Sequence, residues 1–353
     1  MFAQELARFD VALPIESAET PPSSWYLRPE FHDAEVRQVL LNSWQPAALR
    51  CQLVESGDYV SGEFCGQPYV VTRAADGQIR AFYNVCRHHA SLIVEGKGCQ
   101  SQLTCPYHGW TYDLDGRLRK APRLGAVKEF NRDDYGLKPI PSALWGPWVW
   151  LHFGDKPNSL EEQLAPLGRR LEPEGLSRLQ FVERRSYDLE CNWKVYVDNY
   201  LDGGYHVEVA HKALAAQLDL EQYQTTVEPP WVMQVCGGGS SERLEGGAVY
   251  GWLYPNWMLN RYGPMMDTNW VIPLGPERCR TVFDYFFVDA SDPDFVARSL
   301  AASHQVQLED IAICESVQRG LRSRGYEVGR YAPALEIGEY AFHQWLAGDL
   351  RRT

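Results

Sequence analysis

Two groups of metal-binding side chains stand out in the sequence. The first is Cys86-Arg-His88, followed after sixteen residues by Cys105-Pro-Tyr-His108, or C-x-H-x16-C-x2-H. Two thiolates and two imidazoles at this spacing can hold one metal centre. A Cys2His2 zinc site is one reading, but zinc fingers usually group cysteine with cysteine and histidine with histidine. Here each half supplies one of each. That suits a [2Fe–2S] cluster in which one iron takes both cysteines and the other both histidines. Exchanging two anionic thiolates for neutral imidazoles makes an electron easier to accept, so the potential lies at roughly −150 to +300 mV. His89 falls outside the pattern and reads as structural or solvent-exposed.

The second group is Asn192-Trp-Lys-Val-Tyr-Val-Asp198-Asn199-Tyr-Leu-Asp202-Gly-Gly-Tyr-His206-Val-Glu208-Val-Ala-His211. The H-E-x-x-H spacing of a zinc protease helix is absent. His206 and His211 are five apart, and on an ideal helix they would diverge by about 140°. They can meet at one metal only if the backbone is irregular, which Gly203 and Gly204 permit. Two histidines need a carboxylate to form a facial triad for Fe(II). Asp310, in HQVQLEDIAICESVQRGL, is a candidate, with Glu309 and Glu315 as competitors. A lone Asp on a helix is otherwise a solvated charge.

The elements that must carry these residues divide the chain into an N-terminal segment (1–40), a β domain (41–155) and a second domain (156–353). Residues 33–44 have helical spacing. From about Trp44 to Gly154, short alternating runs such as PYVVTR and IRAFYNV are broken by Gly, Asp and Pro, and ADGQ and LDGR read as hairpin turns. Beyond Lys156, SLEEQLAPLGRRL and residues 292–324 have helical patterns, and residues 192–221 read as helical around the glycine pair. WVIPL and RTVFDYFFV read as strands, and residues 236–247 as a Gly-rich loop. The fold class expected is α+β: an all-β domain for the cysteine-histidine motif, plus a helix-flanked antiparallel sheet for the other.

Composition narrows the function. A chain of 353 residues suits two domains. A net charge of −12 argues against a dedicated nucleic-acid surface, and no apolar run approaches the roughly 20 residues of a membrane span. The start of the chain has the pattern of neither a secretory signal nor a transit peptide. The nine cysteines (51, 65, 86, 99, 105, 191, 236, 279 and 314) are odd in number, which favours a reduced, cytoplasmic setting over a disulfide framework.

The stretch CRHHASLIVEGKGCQSQLTCPYHGWTYDLDGRL resembles the cluster-binding segment of Rieske oxygenases. N-W-K … D-N-Y … H-x4-H, followed about one hundred residues later by E-D, resembles their catalytic domain. The resemblance implies a [2Fe–2S] cluster on Cys86, His88, Cys105 and His108. It also implies a mononuclear Fe(II) on His206, His211 and Asp310, with Asn199, Asp202 and Glu208 in catalytic roles. O2 would be co-substrate. No flavin or nicotinamide motif occurs, so electrons from NAD(P)H would arrive through a separate reductase or ferredoxin. In this family the cluster of one subunit feeds the iron of its neighbour, usually in a homotrimer, through an acidic residue. Ring-hydroxylating relatives carry that acid three residues before the first histidine, where this chain has Gly203. Two acids could be that bridge: Asp202, four residues before His206 and on one helical face with it, and Glu208. Carnitine-type relatives are matched by H-x-E-x-x-H, which makes Glu208 the expected bridge and Asp202 the group that orients His206.

DNYLDGGYHV, YPNWMLNRYGPMMDTNWVIPLGP, VFDYFF and ICESVQRGL are similar to the choline monooxygenase branch. The likeness implies methyl-group hydroxylation of a quaternary ammonium substrate: choline, or alternatively a betaine or carnitine. Such cations bind over aromatic faces, worth about 0.5–2 kcal/mol per ring. Tyr250, Trp252, Tyr254 and Trp257 could form that cage, or else the packed face of a sheet. Two rival functions remain: an aromatic-ring hydroxylating dioxygenase, and a non-catalytic Rieske electron carrier.

Overall fold

The computed structural model describes residues 2–171, 175–237 and 247–352. The chain forms two compact units, one of Leu41–Glu162 and the other of Met1–Leu40 with Gln163–Thr353.

The first unit is built from short antiparallel strands. Trp44–Leu49, Trp148–His152 and Ser142–Trp145 form one sheet. Five strands run in the order Lys97–Cys99, Asp58–Phe64, Gln67–Arg73, Ile79–Tyr83, Pro139–Ile140. A third sheet pairs Leu103–Thr104, Thr111–Tyr112 and Leu118–Lys120. Both Asp-Gly turns form, with Gly77 and Gly116 at φ 78° and 83°, a region that glycine enters without a Cβ clash. Phe82, Ile93, Leu103, Trp110, Tyr112 and Leu118 pack together with Cys86 and Cys105 among them.

The second unit holds a seven-stranded antiparallel sheet. Its order is Gln180–Leu189, Arg278–Phe287, Met265–Gly275, Trp257–Tyr262, Ala248–Leu253, Trp231–Gly237, Asp219–Glu228. Val232, Trp252, Met258 and Val271 of the sheet share a core with Trp193, Val197 and Leu201 of the helix Trp193–Leu201, and with Phe342 and Leu346 of the helix Ile337–Leu350. The long helix Pro293–Leu321 begins at Asp292, whose side chain accepts from the N–H groups of Asp294 and Phe295.

Residues 192–221 differ from the expectation of helices around one break. The Trp193–Leu201 helix is followed by two four-residue helices, Val207–Ala210 and Lys212–Ala215, and Asp219 already begins a strand. The expected loop 236–247 falls largely on residues 238–246, outside the described residues. Its first two residues, Cys236 and Gly237, end a strand. Among the described residues no helix is long and apolar enough to cross a membrane.

The N-W-K segment anchors the N-terminal part. The Asn192 side chain accepts the Lys194 N–H at 3.0 Å and starts the helix. Glu35, on the helix Pro29–Gln38, receives the Lys194 ammonium at 2.7 Å and the Trp193 indole N–H at 2.8 Å. Both charged side chains are wholly buried. The indole gives the second carboxylate oxygen a donor, which a buried charge requires.

Candidate functional site

The break after Leu201 brings the two histidines together. Gly203 and Gly204 take φ 69° and 79°, and a Cβ on Gly203 would collide with the Leu335 carbonyl. No side chain fits three residues before His206, so the nearest upstream acid is Asp202. The expectation that Asp202 reaches His206 along a helical face needs correcting, because the helix ends one residue earlier. The Asp202 carboxylate instead organises the turn itself. It accepts the N–H of Gly204 at 2.9 Å, the N–H of His206 at 2.9 Å and His206 Nδ1 at 2.5 Å. His211, at φ −115° and ψ 59°, is the non-helical residue between the two short helices. The pair therefore escapes the divergence of a continuous helix.

His206 Nε2 and His211 Nε2 lie 3.1 Å apart. Asp310 Oδ1 is 3.1 Å from His211 Nε2 and 3.8 Å from His206 Nε2. Each Nδ1 faces a carboxylate: Asp202 for His206, and Glu309 at 2.7 Å for His211. Protons on both Nδ1 atoms leave lone pairs on both Nε2 atoms. Two lone pairs and a carboxylate oxygen converging on one point repel one another, and a cation relieves that repulsion. The donor set fits the N,N,O face expected for Fe(II). Asn199 Nδ2 donates to Asp310 Oδ1 at 2.8 Å, and Gln305 supports Glu309 at 3.0 Å. Burial alone would raise the Glu309 carboxyl, but Gln305 and His211 hold it below its ordinary value. Glu315 accepts the Glu190 N–H at 3.2 Å, away from this group. Glu208 is exposed and forms no hydrogen bond or ion pair among the described residues, while Tyr205 and Val209 near it are 59% and 80% exposed.

In the first unit, two loops repeat one backbone pattern. The Cys86 N–H donates to the Ser91 carbonyl and the Cys105 N–H to that of Trp110. The Ala90 N–H returns to the Cys86 carbonyl and the Gly109 N–H to that of Cys105. Ala90 and Gly109 both have positive φ, at 59° and 72°. Each loop thus turns back tightly after its histidine. The cysteines are buried, and the His88 and His108 rings meet at 4.7 Å between centroids. His88 stacks on Trp110, and its buried Nδ1 has no hydrogen-bond partner. An unpartnered buried nitrogen beside a second imidazole fits a metal ligand. The Tyr112 hydroxyl accepts the Arg87 N–H at 3.0 Å and lies 3.4 Å from Cys86 Sγ, where it donates to a thiolate. His89 is exposed.

Residues 43–131 match the Rieske [2Fe-2S] domain, and residues 176–351 match the ring hydroxylating alpha subunit (catalytic domain). The chloroplastic choline monooxygenase of Arabidopsis thaliana is 45% identical, covering 98% of this chain and 86% of that protein. This chain belongs to the Rieske oxygenase family. The carnitine monooxygenase oxygenase subunit of Escherichia coli (strain K12) is 32% identical over 90% of each. Among solved structures, the quaternary ammonium Rieske monooxygenase CntA with L-carnitine superposes with a TM-score of 0.84 at 27% identity, covering 95% of this chain and 97% of that one. The Rhodococcus naphthalene 1,2-dioxygenase bound to indole, at 20% identity and a TM-score of 0.79, shares the fold. Membership of the Rieske oxygenases implies a Rieske cluster and a mononuclear iron.

Beside His206, His211 and Asp310 lies a cavity also lined by Tyr200, Tyr223, Tyr250, Tyr262, Gln234 and Asp267. Of the four aromatic residues expected to form a cage, only Tyr250 lines it. Trp252 is buried against Phe342 and Trp345, and Tyr254 donates to Asp349 at 2.8 Å. Trp257 packs edge-on to Trp231. Strand alternation does place Tyr250 and Trp252 on one face, but the helix Ile337–Leu350 covers the latter. The missed rings, Tyr223 and Tyr262, reach Tyr250 across strands, at 6.2 Å and 5.7 Å between centroids. Such pairings depend on register and leave no local trace in the sequence. Asp267 did leave one, as a carboxylate within an apolar strand pattern, MMDTNW.

Proposed function

We propose that this chain is the oxygenase component of a multicomponent monooxygenase that hydroxylates a quaternary ammonium compound. The observation that carries this reading is the open two-histidine, one-carboxylate face beside a cavity walled by tyrosines and a buried aspartate. The likeness to choline and carnitine monooxygenases supports the same substrate class. His206, His211 and Asp310 would hold the iron, and Cys86, His88, Cys105 and His108 the cluster. Bound there, the iron would activate O2, using electrons that the cluster relays from NAD(P)H through a separate reductase or ferredoxin. For choline, the carbon hydroxylated is the carbinol carbon rather than a methyl. Choline, O2, two electrons and two protons give the aldehyde hydrate and water.

The protein's part is positional. Asp202 and Glu309 fix both imidazoles, Asn199 holds Asp310, and the tyrosine rings seat an alkylammonium group while excluding water. The nine free cysteines suit a reducing compartment such as the cytoplasm. Glu208, Tyr205 and Val209 form an exposed edge suited to a second copy of the chain in a homotrimer. Glu208 offers its carboxylate there as the bridge, whereas Asp202 is engaged by His206.

Oxygen uptake and product formation, measured together with a surrogate reductase, test this function. Hydroxylated product is expected from choline, betaine or carnitine and not from aromatic acids. Iron content distinguishes an electron carrier, with two irons per chain, from an oxygenase with three.

A further inference from the structure

We infer that the Tyr223 hydroxyl is the hydrogen-bond donor to an oxygen of the ammonium substrate, and that it selects substrates carrying such an oxygen over plain alkylammonium ions. This inference rests on the function proposed above and narrows it.

Tyr223 stands on the edge strand Asp219–Glu228, and register sets where it points. Thr225 lies across from Gln234, and Gln234 across from Tyr250. Residues two apart on a strand share a face, so Tyr223 faces the same side as Gln234 and Tyr250. All three line the cavity beside His206, His211 and Asp310. The Tyr223 ring is stacked on that of Tyr250, with 6.2 Å between centroids. Its other neighbour is the glycine turn, where a Cβ on Gly204 would come within 3.1 Å of the ring. Tyr223 therefore stands between the aromatic wall, which would seat an alkylammonium group, and the turn that presents His206.

Neighbouring donors of the cavity are committed. Tyr196 donates to Gln307 and Tyr200 to Asn260, both at 2.8 Å. Asn199 donates to Asp310, and Asn260 and Asn269 donate to Asp267. The Tyr223 hydroxyl, by contrast, forms no hydrogen bond among the described residues. Burial pushes this phenol well up, and Tyr250, Tyr200 and Asp202 add to the effect, so it keeps its proton. A phenol with a proton and no acceptor is completed by a ligand that brings one. An alcohol or carboxylate oxygen does so, and a saturated alkyl group does not. A site built to donate to an oxygen rejects the analogue that lacks it, because the donor is then shut off from water and left unpaired.

Anaerobic titration calorimetry on the purified holoenzyme tests this with choline, glycine betaine and propyltrimethylammonium. Choline and propyltrimethylammonium carry the same charge and differ by a methyl in place of the hydroxyl, so the acidic lining acts on both charges alike. Wild type should bind choline about 10-fold tighter than propyltrimethylammonium. Tyr223→Phe should bring that ratio to near unity and leave propyltrimethylammonium binding unchanged. A merely structural role would weaken both ligands together and leave the ratio where it was. In the same variant, a fall for choline alone assigns Tyr223 to an alcohol oxygen, and a fall for glycine betaine as well assigns it to alcohol and carboxylate oxygens alike.

An unchanged ratio for choline in a folded Tyr223→Phe overturns the inference and leaves the proposed function standing. Should this variant fail to fold, as judged by its cluster spectrum and thermal unfolding, wild type decides. Its preference for choline over propyltrimethylammonium should survive removal of the mononuclear iron by a chelator. A preference that is absent, or that vanishes with the iron, takes the oxygen away from Tyr223 and overturns the inference. If no ammonium compound binds, the proposed function falls and the inference with it.

Discussion

The two metal-binding regions are built on opposite principles. In the β unit, all four candidate ligands come from two adjacent loops with one repeated hydrogen-bond scheme, and each loop contributes a Cys and a His. In the second unit, two candidate ligands come from a broken helix and the third from Pro293–Leu321, 99 residues beyond His211. A site made of local turns needs only its own backbone to be nearly right. A site made across elements depends on the packing that holds those elements, and its ligands need outside partners. Asp202, Glu309 and Asn199 supply them here, whereas the loop site is shaped by its own backbone hydrogen bonds, with the Tyr112 hydroxyl beside Cys86 Sγ.

Perturbing one region while reading out the other tests that contrast. The largest effect is expected from Asp310→Ala. It should abolish mononuclear iron binding and lower product formation by more than about 100-fold, while the visible spectrum of the cluster stays intact. Parallel loss of the cluster spectrum would refute the independence of the two sites. Lys194→Met comes next. It leaves Glu35 buried and unpaired and should destabilise the second unit by about 3–5 kcal/mol. Denaturant unfolding followed by tryptophan fluorescence checks this, and the pair variant Lys194→Met with Glu35→Gln should recover part of the loss.

Glu309→Gln should weaken iron affinity by about 10- to 100-fold, because His211 loses a charged acceptor on Nδ1. Competition with a chelator measures it, and an unchanged affinity would mean that packing alone orients this imidazole. The smallest effect belongs to the loop site. Tyr112→Phe removes a donor to Cys86 sulfur, which stabilises the more negative, reduced cluster. The potential should fall by about 40 mV for each kcal/mol of lost hydrogen bonding, as read by spectroelectrochemistry.

The same contrast explains what could be read in advance. Cys86, His88, Cys105 and His108 lie between two Asp-Gly turns, in loops that turn back at Ala90 and Gly109, so the type and spacing of these candidate ligands already point to the chemistry. His206 and His211 were legible as a pair that requires a broken helix, and the glycines between Asp202 and Tyr205 supply the break. The direction taken by the chain after that break was not legible. Asp202 reaches His206 through a turn that its own side chain organises.

Sequence alone thus determined the types of the candidate ligands, the division into a β region and a mixed region, and the need for irregular backbone at the glycine pair. These follow from local sterics and from ligand chemistry. Tertiary structure decided that Glu309 supports His211, that Tyr250 keeps company with Tyr223 and Tyr262 rather than Trp252 and Tyr254, and that Asp267 and Gln234 face the same cavity. Those relations join residues on different strands and helices. Sheet register and helix docking set them, and both are settled by the burial of the whole core rather than by any short segment.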